Sequence, residues 1–212
     1  ITRFNLRSGT NLFELMQSTA DFASVSGALK RLALVLIQIS NDFRLLSSGP
    51  KTGFDEIHLP PKQPGSSIMP GKVNPVMPEM LTVICFQVVA NDTAVSLATQ
   101  AGQLELNVMI PTVIHNLLTS IEILKNGIDV FTRFCVAGIE AIPKRCLEYA
   151  ETSYGIAAAL NPYLGYSRAA EIVKESVKTG KTLRQIIRKR NLLPEAKLRK
   201  ILSPERLTQP NR

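Results

Sequence analysis

The chain has 212 residues, of which 45% are apolar and 20% charged, and its formal net charge is +8. This composition is typical of a globular protein with a buried core, and no uninterrupted apolar run approaches the roughly 18 residues of a membrane span. Three cysteines without a CxxC pair favour reduced, packed thiols and a cytoplasmic location rather than a disulfide framework.

The charge is distributed unevenly along the chain. Residues 1–142 contain ten Lys and Arg against eleven Asp and Glu, a net charge of −1. Residues 143–212 contain fifteen against six, a net charge of +9, so the two parts account for the total of +8. We therefore expect two domains, residues 1–142 and residues 143–212, with the excess basic charge confined to the second.

The first predicted element is one long helix. Residues 11–48 contain no proline, and apolar residues at 29, 32, 33, 36, 39, 43 and 46 follow a helical spacing. Further apolar residues at 34, 35 and 37 predict burial on more than one side. A helix of about 50 Å or more favours a position at the centre of an oligomer over one in an ordinary bundle.

Two further long helices follow, and then the pattern changes. The spacing predicts helices over residues 78–100 and 111–139, separated by "AGQLELNVMIP". Shorter and more charged helices are predicted at 144–160, 168–178, 183–190 and 194–202. The fold class is therefore all-α: a bundle of long helices followed by a small helical domain.

A loop between the first two long helices concentrates turn-forming and polar residues. It reads "PGSSIMPGKVNPVMPEM" (residues 64–80, the signature loop), and its polar groups suit an anion: Gly65, Ser66, Ser67, Gly71, Lys72 and Asn74. The spacing of its glycines and Val73 after the lysine argue against a nucleotide phosphate loop. Composition alone leaves a binding site and a flexible connection equally possible.

The same loop resembles a family signature. "GSSIMPGKVNPVMPE" is similar to the GSSxMPxKxNP loop of the fumarase/aspartase superfamily, and "NDFRLLSSGP", "AGQLELNV" and "LNPYLGY" also look like segments of these enzymes. Within the superfamily, "NPVMPE" and "AGQLELNVM" resemble the aspartase branch more than the fumarase branch. The resemblance extends over the whole chain.

The resemblance implies a fold, a reaction and an assembly. It implies the later part of a central helical bundle and a small C-terminal domain, in a homotetramer whose active sites are shared between subunits. The implied reaction is reversible elimination of ammonia from L-aspartate to give fumarate, without cofactor or metal. Upstream family motifs have no counterpart here, so we expect a C-terminal portion that is inactive alone.

Carried over position by position, the motif makes Ser66 the general base. The implied substrate-binding positions are Ser67, Met69, Lys72 and Asn74. The implied supporting positions are Gly65, Gly71 and Glu79, with Glu79 orienting Lys72 and the whole loop closing over the substrate. His58 and His115 lie outside the family's histidine motif, so we expect structural roles for both.

Two alternative functions remain open at this point. Fumarate hydratase shares the fold and the loop. A basic helical module that binds nucleic acid would account for the charge of residues 143–212, but no aromatic residues are interleaved with the basic ones, and we expect no nucleic-acid or membrane partner.

Overall fold

Helices dominate the computed structural model, which describes Phe4 and residues 7–208. Contacts divide the chain into two units, Ile1–Ala141 and Ile142–Arg212. The fold class is therefore all-α, as predicted.

The predicted first helix is two helices, α1 (Leu12–Gln17) and α2 (Ala20–Leu46). They separate at Ser18 and Thr19 because the backbone N–H of Asn107 donates to the carbonyl of Met16 at 3.0 Å. With 27 residues, α2 is about 40 Å long, so the predicted length of 50 Å or more is wrong.

Two more long helices pack with α2 to form the core of this unit. They are α3 (Val76–Gln100) and α4 (Ile110–Phe134), and α3 begins two residues before the predicted start. The rings of Phe43 and Phe131 stack with centroids 5.8 Å apart. The surrounding core consists of Ala33, Leu81, Cys85, Val88, Leu124, Phe131 and Cys135.

Helix α4 ends five residues earlier than predicted. A short 3-10 turn at Val136–Gly138 follows it, and then a two-residue strand, β2 (Glu140–Ala141). This strand pairs antiparallel with β1 (Ile57–His58), so that Ile57 faces Ala141 and His58 faces Glu140. The pairing ties the connection between α2 and α3 to the end of the unit.

Helices α2 and α3 are long and apolar enough, by length and mean hydropathy alone, to cross a membrane. The same average is found in core helices of water-soluble bundles, and both helices carry buried polar groups that bond to each other. The carboxylate of Asp92 on α3 accepts a hydrogen bond from Ser26 at 2.8 Å and pairs with Lys30 at 2.5 Å.

Short helices within residues 142–208 pack their apolar side chains into a second core. They are α5 (Pro143–Thr152), a 3-10 segment at Tyr154–Leu160, α6 (Asn161–Leu164), α7 (Tyr166–Thr179), α8 (Leu183–Lys189), α9 (Glu195–Ile201) and α10 (Pro204–Thr208). The predicted helix over 144–160 is therefore divided at Ser153. A reciprocal cap between Thr182 and Gln185 begins α8 where the sequence predicts a helix start.

Candidate active site

The signature loop occupies the end of the connection between α2 and α3 and the first turn of α3. Ser66 and Asn74 are half-buried, whereas Ser67 and Lys72 are exposed. Ile68 at the tip is 86% exposed. The loop therefore presents its polar residues on an open surface.

The hydroxyl of Ser66 lies in a turn formed by its own loop. Its Oγ accepts hydrogen bonds from the backbone N–H groups of Ile68 and Met69, each at 3.1 Å. Two donors aimed at one oxygen favour its negatively charged form, because each N–H dipole stabilises the charge. The role of Ser66 as general base stays a prediction, as do the substrate-binding roles of Lys72 and Asn74.

The two arms of the loop meet at a narrow point, which we call the neck: the contact of Gly65 with Lys72 and Asn74. Asn74 Nδ2 donates to the carbonyl of Gly65 at 2.6 Å. A β-carbon on Gly65 would overlap the backbone carbonyl of Lys72. Glycine is required at position 65 because the two backbones approach so closely.

The second loop glycine is required for a different reason. Gly71 has a φ of +78°, in the left-handed region that favours glycine, and no atom lies within 4 Å of the position of its missing β-carbon. Sequence reasoning proposes close approach or positive φ for both glycines without distinguishing them. The structure assigns close approach to Gly65 and positive φ to Gly71.

Some predicted partners do not touch in this conformation. Among the described residues, the side chains of Lys72 and Glu79 make no hydrogen bond or ion pair, with each other or elsewhere. Glu79 lies in the first turn of α3, where a negative charge is favourable. Its role in orienting Lys72 stays a prediction, as do the roles of Ser67 and Met69.

Two cavities flank the second arm of the loop. One, of about 540 Å³, is bounded by Val73, Asn74 and Pro75 together with the β1 segment and Glu140. The other, of about 610 Å³, is bounded by Val73, Pro75, Glu79 and the end of α2 around Arg44. The arm that carries Asn74 is therefore open on two sides.

Sequence reasoning misses the backbone groups that act at this site. The amides of Ile68 and Met69 and the carbonyls of Gly65 and Lys72 shape the loop, and a motif of side chains does not reveal them. One signal was available, because a serine hydroxyl bonded to backbone N–H groups two and three residues ahead is a common local turn.

Cys85 and Cys135 lie in the core of the long helices, whereas His58 borders the cavity of about 540 Å³ that Asn74 also lines. His58 is exposed, with its Nε2 3.8 Å from Asp55 Oδ1, and His115 is exposed on α4. Burial raises the pKa of Cys85 to about 11, and burial also raises the pKa of Cys135 against the opposing charge of Lys62. In the part of the chain that the structure describes, no three His, Cys, Asp or Glu residues converge on a possible metal site.

Two family models match two different parts of the chain. A family model described as "Lyase" matches residues 1–90, and one described as "Fumarase C C-terminus" matches residues 156–209. A curated aspartate ammonia-lyase from Pseudomonas aeruginosa is 46% identical over 97% of this chain and 43% of its own length. One from Bacillus subtilis is 47% identical over 99% of this chain and 44% of its own length.

Solved structures share the fold of this chain over nearly its whole length. A fumarate lyase:delta crystallin from Brucella melitensis bound to cobalt superimposes with a TM-score of 0.88 at 44% identity, over 97% of this chain and 44% of that one. A class II fumarase from Schistosoma mansoni superimposes with a TM-score of 0.89 at 36% identity, over 98% of this chain and 43% of that one.

The chain thus spans less than half the length of the relatives it matches, while nearly all of it aligns with them. The matches cover the segment with the signature loop and also most of residues 142–212. Identity of 46–47% over almost the whole chain, together with the shared helical architecture, leads to one conclusion. This chain belongs to the fumarase/aspartase superfamily.

Proposed function

We propose that the full-length protein eliminates ammonia from L-aspartate and releases fumarate. The observation that carries this proposal is the 46–47% identity of nearly the whole chain to curated aspartate ammonia-lyases. The chain spans 43% of the Pseudomonas relative, so we infer that these 212 residues have little or no activity alone.

In this proposal Ser66 is the general base. Its deprotonated Oγ, stabilised by the amides of Ile68 and Met69, takes a proton from the methylene carbon of aspartate. This is the carbon next to the carboxylate that lies further from the amine. The electron pair from that C–H bond moves into the carboxylate, which becomes a dianion. The C–N bond then breaks, ammonia leaves with its bonding pair, and the carbon–carbon double bond of fumarate forms.

The remaining loop residues would stabilise the charge that develops on the carboxylate. The Lys72 ammonium supplies a positive charge, and Asn74 and Ser67 supply neutral hydrogen-bond donors. Met69 would line the site, and Glu79 would orient Lys72. Gly71 would permit the backbone conformation from which the loop closes and excludes water.

We further propose a cytoplasmic homotetramer with active sites shared between subunits. The support is the set of large apolar side chains that α2, α3 and α4 leave exposed, because exposed apolar surface marks sites of association. These exposed residues are Phe22, Val25, Leu32, Leu34, Val35 and Ile39 on α2, Val83, Phe86 and Leu97 on α3, and Ile114, Leu118 and Ile121 on α4.

We also propose that residues 1–142 carry the loop chemistry and that residues 143–212 form a separate small domain without a nucleic-acid partner. Some arginines of that domain have carboxylate partners: Glu195 pairs with Arg188 and Arg199, and Glu175 with Arg190. Phosphate binding would need free cations on one surface.

The test is to follow fumarate release by the full-length protein from L-aspartate and, separately, from L-malate. We expect fumarate from aspartate alone. Fumarate from malate alone would instead assign the hydratase reaction, for which the fumarase-type match of residues 156–209 is the supporting observation. The 212-residue chain, assayed in parallel, is expected to release none.

A further inference from the structure

We propose that the neck of the signature loop is a positioning device, in which Gly65 sets the base Ser66 at a defined distance from the carboxylate-holding residues Lys72 and Asn74. This inference rests on the function proposed above. It assigns to a glycine a role in the catalytic rate that is distinct from substrate binding.

The first observation is a backbone contact that admits no side chain. A β-carbon on Gly65 would overlap both the carbonyl carbon and the carbonyl oxygen of Lys72, which are backbone atoms that cannot rotate away as a side chain could. Ser66 follows Gly65 directly, and Lys72 is itself the residue on the opposite arm. The base and the cation are thus carried by two backbone segments in van der Waals contact.

The second observation is that a hydrogen bond closes the same point. Asn74 Nδ2 donates to the Gly65 carbonyl at 2.6 Å. A side-chain amide has two N–H groups and one acceptor oxygen, and the second N–H and the oxygen of Asn74 have no hydrogen-bond partner among the described residues. Asn74 is therefore able to hold the neck and a carboxylate at the same time.

The third observation is that packing does not hold the arm in place. Val73 and Pro75, on either side of Asn74, both border the cavities of about 540 Å³ and about 610 Å³. Val73 is 54% exposed. At its far end the arm joins α3, where the carbonyl of Pro75 accepts a hydrogen bond from the Glu79 N–H at 3.2 Å. The contact with Gly65 fixes its near end, so a wider neck would move Lys72 and Asn74 away from Ser66.

Such a displacement would leave the base itself intact. The turn that bonds Ser66 Oγ to the amides of Ile68 and Met69 is local to one arm, so it does not depend on the neck. A widened neck therefore misplaces a competent base relative to a bound carboxylate. The rate of the chemical step should fall more than the affinity for a dicarboxylate.

The experiment uses the full-length protein with Gly65→Ala and, as a matched control, Gly180→Ala. Gly180 follows α7 with a φ of +70°, and no atom lies within 4 Å of its missing β-carbon, so the same substitution strains only a helix end outside the signature loop. The readouts are kcat with L-aspartate, the Kd of succinate, and the rate of trypsin cleavage after Lys72 relative to cleavage after Lys62. Succinate is a dicarboxylate with no leaving group.

For Gly65→Ala we expect kcat to fall about 100-fold, as for a reacting group misplaced by about 1 Å, while the succinate Kd rises less than about tenfold. Cleavage after Lys72 should accelerate at least about tenfold, since an open neck frees the arm. For Gly180→Ala we expect all three values to stay within about threefold of wild type, because the added methyl group lies outside the signature loop.

The proposal is overturned if Gly65→Ala keeps kcat within threefold of wild type, if Gly180→Ala loses as much, or if kcat and succinate affinity fall equally. Wild-type protein that releases no fumarate from aspartate would instead overturn the proposed function. In that case the relative rates of trypsin cleavage still test whether Gly65 holds the two arms together. If Gly65→Ala does not fold, Asn74→Ala, which cannot donate to the Gly65 carbonyl, must accelerate cleavage after Lys72.

Discussion

Two groups of polar residues within residues 1–141 use hydrogen bonds in opposite ways. In the helices, Asp92 is buried, and both its carboxylate oxygens have partners on α2, more than sixty residues away in sequence. In the signature loop, Ser66 and Asn74 are half-buried, and their bonds go to backbone groups within ten residues. Long-range polar bonds join helices, whereas the local bonds shape only the loop.

A second polar contact on α3 extends this comparison. Asn91, next to Asp92, donates to Ser120 Oγ at 3.0 Å on α4 and accepts from Gln87 at 2.8 Å. Adjacent residues of one helix therefore bind both neighbouring helices. Buried polar groups therefore hold the helices together, whereas the polar groups of the loop are bonded only within the loop.

The largest expected effect comes from the loop. Replacing Ser66→Ala in the full-length protein removes the base, so kcat should fall by a factor of about 10²–10⁴. The melting temperature should shift by less than about 2 °C, because the hydroxyl bonds only to its own exposed loop. Steady-state kinetics and thermal unfolding measure the two values.

The control for Ser66→Ala is Ser24→Ala, whose hydroxyl bonds to the α2 backbone on an exposed surface, and which should leave kcat unchanged. If Ser66→Ala retains more than a tenth of wild-type activity, another group is the base. If it instead unfolds the protein, the loop has a structural role that the comparison denies.

The next largest effect is expected in the helices, where a substitution should lower stability and leave kcat nearly unchanged. Asp92→Ala removes a charged acceptor from Ser26 and Lys30, and we expect the free energy of unfolding to fall by about 2 kcal/mol. This value is below that for a fully buried ion pair, because the Lys30 side chain is 41% exposed and can reach water. Urea unfolding measures the change.

Asp129→Ala is the matched control for this prediction. Asp129 pairs with Arg133 on the exposed face of α4, and such surface pairs contribute about 0–1 kcal/mol. The two aspartates should therefore differ clearly in stability, while kcat per folded molecule stays within about threefold in both. Equal losses from both would show that the buried pair contributes no more than a surface pair.

The smallest effect is expected in the basic second unit. Hydrogen bonding and charge from Arg188 and Arg199 lower the pKa of Glu195 to about 2, from an ordinary value of 4.5. Because the folded-state pKa is lowered, the stabilisation is present above pH 4.5 and is lost as the pH falls through 4.5 towards 2.

Glu195→Gln tests this pH dependence. The variant should be slightly less stable than wild type at pH 7, and the difference should shrink as the pH falls towards 2. It should also shrink at high salt, since this network lies on the surface. Urea unfolding of both proteins at several pH values measures it, and a difference that grows on acidification would contradict the assignment.

The sequence locates the candidate site as far as side chains define it, and the roles of those side chains stay predictions. The residues Ser66, Lys72 and Asn74 belong to one continuous motif. The helices α2, α3 and α4 are predicted by their apolar spacing, because a helix that buries one face needs apolar residues at that spacing. The start of α8 was also predictable, because Thr182 and Gln185 form a local cap.

Tertiary structure alone decided the rest, because it depends on groups distant in sequence or on the backbone. The break between α1 and α2 arises where Asn107 bonds to Met16, about ninety residues away, although Ser18 and Thr19 are residue types that often cap helices. The neck depends on the approach of Gly65 to the Lys72 carbonyl, which a residue pattern does not encode. Helix propensity and apolar periodicity can be determined from the sequence, whereas the distance between two backbone segments depends on how the chain folds.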